Sequence, residues 1–197
     1  TELALWNHGT LLPWTSAIGA GLPLNDLYPP GGAILYCALR FLTLFLFSQK
    51  IAYVITVFIS WFTLLGGLYV CGRSFFGIAG GALAAGLMAM NPGNVAQAGW
   101  VQPFFLGMWQ TSLCCGLILI ALTVHGHTLG RTASRWLLAV LALSVAGAIL
   151  AHPFGLPALF VSLLILTILS LFCAEDRLAQ IRFAFRNGIF ILMGFLM

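Results

Sequence analysis

The chain has 197 residues, 61% of them hydrophobic and 6% charged, with a net charge of +4. An ordinary soluble domain carries about 25% charged residues, and no Asp, Glu, Lys or Arg occurs here between Ser74 and Gly130. That excludes a soluble fold, which needs a solvated charged face, and the basic excess reads as a membrane-orientation signal, with no nucleic-acid partner.

The first stretch, to about residue 50, is a loop rich in Trp, Pro and Gly, including GLPLNDLYPPGG, followed by an apolar run over 33–47. That run can span or can lie along the outer interface. Arg40 in its middle and the Pro-Pro-Gly-Gly start favour a juxtamembrane helix, since a mid-bilayer Arg costs about 2.5 kcal/mol or more. Residues 1–50 are therefore expected to form an extracytoplasmic loop and juxtamembrane helix, and 51–197 a transmembrane bundle. The chain starts at Thr1 and stops inside the apolar run GIFILMGFLM, so a fragment, incomplete at the C-terminus, is expected.

A hydrocarbon core of about 30 Å needs about 20 apolar residues per helix. Runs over 51–71, 103–124, 136–151 and 154–174 meet or approach this length. A shorter run, 75–90, ends at NPGNVAQAGWVQP and spans if neighbours bury it, and a last helix starts near Asn187. The fold class is an all-α polytopic transmembrane helix bundle with about five to six spans.

Arg73, then Arg131 and Arg135, then Arg177, Arg182 and Arg186 recur every two helices and so share one side. The positive-inside bias makes that side cytoplasmic. The uncharged break at 91–102 and the His152-Pro153 turn then face out. Gly77, Gly81, Ala85 and Ala89 recur every four residues and offer a flat face for close helix packing. The five cysteines lie in or at the ends of apolar segments without metal spacing and read as small buried side chains.

Few residues can carry chemistry. Asp26 is one of four acids in the chain and lies between Asn25 and Leu27, where it is either turn chemistry or a functional carboxylate. Trp6, Trp14 and Tyr28 share its loop, and such rings anchor at headgroups or stack on sugar faces. Glu2 and His8 read as solvated. His152 either caps carbonyls or faces an outer cavity. His125 and His127, in VHGHTLG, read as a short polar connector, having no acidic or Cys partner nearby. Asn91, Asn94, Gln97, Trp100 and Gln102 form an uncharged outer loop able to hydrogen-bond a sugar or its own backbone. AEDRLAQIRFAFR reads as a cytoplasmic amphipathic linker that touches anionic headgroups.

The order of these features resembles a known family. LLPWTSAIGAGLPLNDLYPPGGAILYCALRFL resembles the first extracytoplasmic loop of GT-C class glycosyltransferases, and especially the 6-pyruvoyl-tetrahydropterin-synthase-related and YfhO-like membrane proteins. The Pro13-Trp14 pair, Gly19, Gly21, Pro23 and Leu24, and then Tyr28-Pro29-Pro30 carry the likeness. GRSFFGIAGGALAAGLMAMNPG is similar to the family's Arg-x-x-Phe-Gly entry and Asn-Pro exit, and ILAHPFG to its helix ending in His. The match covers most of the chain as loose patterns held together by their order.

The resemblance implies transfer of a sugar from a polyprenyl-phosphate donor, with inversion, at the outer face of a bacterial cytoplasmic membrane. Asp26 would act as catalytic base or orient the acceptor, although the family's most characteristic acid lies upstream of Thr1. Tyr28, Trp14, Trp100, Gln102 and His152 would bind substrate. Arg40 and Lys50 would meet the donor phosphate, with no cofactor beyond a divalent cation, which is left open. The competing expectation is a non-catalytic membrane subunit that packs against a membrane-protein partner.

Overall fold

The computed structural model describes residues 14–15, 22–23, 31–93, 99, 109–129 and 133–196. Among these are six helices: α1 (Gly31–Leu42), α2 (Gln49–Met90), α3 (Trp109–Thr128), α4 (Arg135–Ala151), α5 (Gly155–Cys173) and α6 (Arg177–Leu196). Two short strands, β1 (Trp14–Thr15) and β2 (Leu22–Pro23), pair antiparallel, with Trp14 opposite Pro23. The architecture is otherwise all-helical, as the sequence predicts. Three helices, α2, α3 and α5, are long and apolar enough to cross a membrane, while α1 and α4 are shorter apolar helices.

Helix starts follow local capping chemistry. Ser48, Ser134 and Asp176 accept hydrogen bonds from the backbone N–H groups of Ile51, Leu137 and Ala179, satisfying donors that a first turn leaves open. Thr56, Ser60, Thr63, Thr123 and Thr167 donate their hydroxyls to carbonyls four residues back. Hydroxyls bonded in this way can sit in apolar surroundings without an unpaired donor.

Within α2 the chain reverses. Gly77 has φ 73° and ψ −173°, a region open essentially to glycine alone. A Cβ at Gly81 would lie 2.5 Å from the carbonyl oxygen of Tyr69, and one at Gly72 would lie 3.3 Å from the Cβ of Ala84. In a straight helix residues 72 and 84 would be about 18 Å apart. The arms 49–76 and 78–90 therefore lie antiparallel with their backbones in contact. The expected small-residue face is real at Gly81. It is completed by Gly72, Gly80 and Ala84, whereas Gly77 makes the turn and Ala89 is exposed. The second arm ends at Asn91, whose Oδ1 accepts from the Gly93 N–H in an Asn-Pro-Gly turn.

The first arm of α2 runs beside α3. A Cβ at Gly67 would meet the Gly116 carbonyl at 2.6 Å, and one at Gly116 would meet the Thr63 carbonyl oxygen at 2.5 Å. The core lies between α3, α4 and α5, built from Leu113, Val124, Leu141, Val145, Leu159 and Leu163. One face of α5 points outward: Phe160, Val161, Leu164, Ile165, Leu169 and Phe172 are all exposed, a surface suited to hydrocarbon and not to water.

Two expectations change. The segment 174–186 was expected to be a linker preceding a helix from Asn187, but α6 begins at Arg177 and runs unbroken to Leu196. The Asp176 cap starts it, and Leu178, Ile181 and Phe185 continue the exposed apolar face that Ile189 and Leu192 extend. His125 and His127 were expected in a connector and instead form the last turns of α3.

Candidate functional site

Helix polarity sorts the bundle into two ends. At one end α2 and α3 begin and α4 finishes, and α1 is seated there by two glycines. A Cβ at Gly31 would lie 2.5 Å from the Leu150 carbonyl oxygen, and one at Gly32 would lie 2.6 Å from the Trp109 ring. Tyr53, in the second turn of α2, meets Trp109 edge-on at 6.3 Å. Trp109, itself buried, is thus the hub on which α1 and α2 close.

The far end of α1 returns to the same level. Arg40 is 8% exposed, donates from Nη1 to the Phe47 carbonyl just ahead of α2, and lies 5.0 Å from the Phe45 ring centroid. The Arg40 carbonyl accepts from the Phe45 N–H at 2.9 Å. This turn carries two non-glycine residues in the left-handed region, Leu44 at φ 48° and Phe45 at φ 61°, each a local cost of about 1–2 kcal/mol that the Arg40 contacts help to offset. With 12 residues, or about 18 Å, α1 lies across this end of the bundle and is too short to traverse a bilayer. Lys50, in the first turn of α2, is exposed.

His152 follows the last residue of α4 and is 7% exposed. Its Nδ1 accepts from the Phe154 N–H at 3.3 Å, its carbonyl accepts from the Gly155 N–H at 2.8 Å, and its ring stacks on Phe154 at 5.3 Å. Nδ1 is therefore unprotonated and the proton sits on Nε2. Burial pushes the imidazole below its ordinary value. Arg40, Lys50 and His152 thus belong to one end of the molecule. Asp26, Tyr28, Trp100, Gln102 and the side chain of Trp14 lie outside the described residues.

A second polar cluster sits at the opposite end and was not anticipated as one. His125 Nε2 is 2.8 Å from Thr167 Oγ1 of α5, and His125 Nδ1 is 3.2 Å from Asn187 Nδ2 of α6. Asn187 also donates to Thr128 Oγ1 at 2.7 Å, and Thr128 donates to the His125 carbonyl at 3.1 Å. Because the Thr167 hydroxyl proton goes to the Leu163 carbonyl, Thr167 Oγ1 accepts from His125. The imidazole is then the neutral Nε2–H tautomer, with Nδ1 accepting from Asn187.

Arg186 completes the cluster. It donates to Asn187 Oδ1 and, at 2.9 Å, to the Thr128 carbonyl at the C-terminus of α3, where a cation also suits the helix dipole. Three helices are tied through one fully satisfied network, and among the described residues no buried side-chain nitrogen or oxygen lacks a partner. The sequence signal was present in the lone Asn187 and Thr167 within apolar runs, but 62 residues separate His125 from Asn187 and spacing could not join them.

Among the described residues no group of three or more His, Cys, Asp or Glu is placed to hold a metal ion. No protein-family model matches the chain, nor does any curated protein or solved structure.

Proposed function

We propose that this chain is a multi-pass protein of a bacterial cytoplasmic membrane with five to six spans, whose α1 end faces outward and handles a sugar carried on a polyprenyl phosphate. Arg73, Arg135, Arg177 and Arg182 are exposed at the end away from Lys50, which supports a cytoplasmic assignment for that end. The reversal at Gly77 supports counting α2 as two crossings.

The observation that carries the reading is the gathering of α1, Lys50 and the His152 turn at the end where Gly32 and Tyr53 close on Trp109. Asp26 precedes Gly31, where α1 begins, by five residues. Of the two cations, Lys50 is the exposed one and takes the donor phosphate, while Arg40 builds the turn that presents it. Asp26 takes the proton of an acceptor hydroxyl as its oxygen bonds to the anomeric carbon. The bond from that carbon to the phosphate oxygen breaks with inversion, and polyprenyl phosphate leaves with the electron pair. Trp14, Tyr28 and Trp100 stack on sugar faces and Gln102 hydrogen-bonds hydroxyls.

The test is turnover of polyprenyl-linked sugar by the full-length protein in liposomes, comparing wild type with Asp26→Asn. Loss of at least about a hundredfold is expected for a general base, and unchanged turnover removes Asp26 from the mechanism. Labelling of Lys50→Cys and Arg182→Cys from opposite sides of the membrane checks the orientation. A second reading, a non-catalytic membrane subunit, draws on Gly86, which faces open space on the short arm of α2 and leaves room for a partner helix. Co-purification with a stoichiometric membrane partner and no sugar turnover would favour it.

A further inference from the structure

Helix α6 has two faces of different character. Gln180, Asn187 and Gly194 are buried at helical spacing, and a Cβ at Gly194 would sit 2.5 Å from the Ala142 carbonyl oxygen of α4. The opposite face exposes Leu178, Ile181 and Phe185, with Arg182 among them and also exposed. On a regular helix these four positions fall within one third of the circumference. Arg177 flanks one side of this stripe and Arg186 the other.

Depth follows from register. Asn187 and Arg186 are fixed beside Thr128 at the C-terminus of α3. Gly194, seven residues further on, is fixed against Ala142 and Val145 of α4. At equal rise per residue, Arg186 is level with the first turn of α4, where Arg135 is exposed. Arg182 lies one turn beyond Arg186, away from the bundle centre, and Arg177 a further turn out. Arg135, Arg182 and Arg177 are therefore staggered outward over about 13 Å at this end, with apolar side chains between them. The acids of this segment are Glu175 and Asp176. Both are exposed, and Asp176 Oδ1 is engaged by the Ala179 N–H at the helix start.

We infer that the first half of α6, with Arg177, Arg182 and Arg135, binds the phosphate of anionic phospholipids while Leu178, Ile181 and Phe185 lie against their acyl chains. Charge complementarity selects the headgroup, since a guanidinium meets a phosphate oxygen pair in bidentate fashion. The interleaved apolar residues select a lipid over a soluble anion. Arg186 is committed to the Thr128 carbonyl and Asn187 and serves the bundle, not the lipid. The inference rests on the membrane reading proposed above, but not on which leaflet this end occupies.

Its test uses the full chain purified in a neutral detergent, where leaflet and orientation play no part. Dioleoylphosphatidylglycerol, dioleoylphosphatidylcholine and inorganic phosphate are titrated separately, and retained lipid is counted by native mass spectrometry. Preferential retention of phosphatidylglycerol is expected, reduced about fivefold by Arg182→Gln, given the usual contribution of one basic residue near an anionic surface. Arg182→Lys should keep part of that preference, and Arg73→Gln, at the hairpin tip, should leave it unchanged. Equal retention of phosphatidylglycerol and phosphatidylcholine, or no change with Arg182→Gln, would overturn the inference. Phosphate competing as well as the lipid would overturn it in favour of a soluble-anion site. A failed orientation in the labelling experiment, with lipid preference intact, would overturn only the outward placement of α1.

Discussion

Replacing Asn187 by Leu removes the α6 side chain that bonds both the His125 ring and the Thr128 hydroxyl of α3. Two interhelical hydrogen bonds disappear, at 3.2 Å to His125 Nδ1 and 2.7 Å to Thr128 Oγ1. Interhelical bonds of this kind average about 0.6 kcal/mol, with a maximum near 1.7, so the pair is worth about 1–3 kcal/mol. Asn187 is fully buried, and water cannot readily replace it at Nδ1, which places the loss toward the upper part of that range. The assay is reversible unfolding in mixed micelles, read by circular dichroism, for wild type, Asn187→Leu, Thr167→Val and the double variant. Asn187 and Thr167 engage opposite nitrogens of one imidazole. Non-additivity of about 0.5 kcal/mol or more is expected. If Asn187→Leu is as stable as wild type, or the two changes add independently, the network is not a lock between helices and the assigned tautomer loses its basis.

Two further predictions concern the ends of the bundle. In a background with the native cysteines replaced by Ser, Gly72→Cys with Ala84→Cys should form a disulfide under mild oxidation. Their Cβ positions are about 3.3 Å apart, close to the usual disulfide separation; failure to cross-link would mean that α2 does not fold back. For His152, the folded imidazole titrates below the ordinary value of 6.5, so the unfolded chain binds the proton more readily. The stability contributed by the neutral ring is complete above 6.5 and is lost as pH falls through the lower folded value. His152→Gln should flatten the fall in melting temperature on acidification below 6.5, and an unchanged slope would assign the effect elsewhere.

Much of the architecture was legible because it depends on local composition. The apolar runs and the Asn-Pro-Gly exit after Met90 follow from residue type and short-range sequence. The close helix pair was visible as small residues, but the residues in contact differ by arm. Gly72 lies on the first arm and had no place in the four-residue pattern over 77–89, since only a reversal at Gly77 brings it opposite Ala84. The continuous α6 was hidden because Arg177, Arg182 and Arg186 made its first half look like a linker. The apolar spacing of Leu178, Ile181 and Phe185 carried the helical signal. The His125 cluster was least legible, since three distant polar residues become one site only through tertiary packing. At the α1 end, Trp109 carried no signal of its own, because nothing in sequence shows that Gly32 and Tyr53 close upon it.

On the membrane reading proposed above, the reversal at Gly77 also bears on how the chain enters a bilayer during synthesis. The second arm, over 78–90, is about 20 Å long, too short to cross alone, and a one-residue bend provides no loop that could be held on one side while the arms partition separately. The short arm would then insert only together with the first, against which Gly72 and Gly81 pack it. A polar insertion at the bend would then be read out as a failure of biogenesis before any effect on a finished protein could be measured.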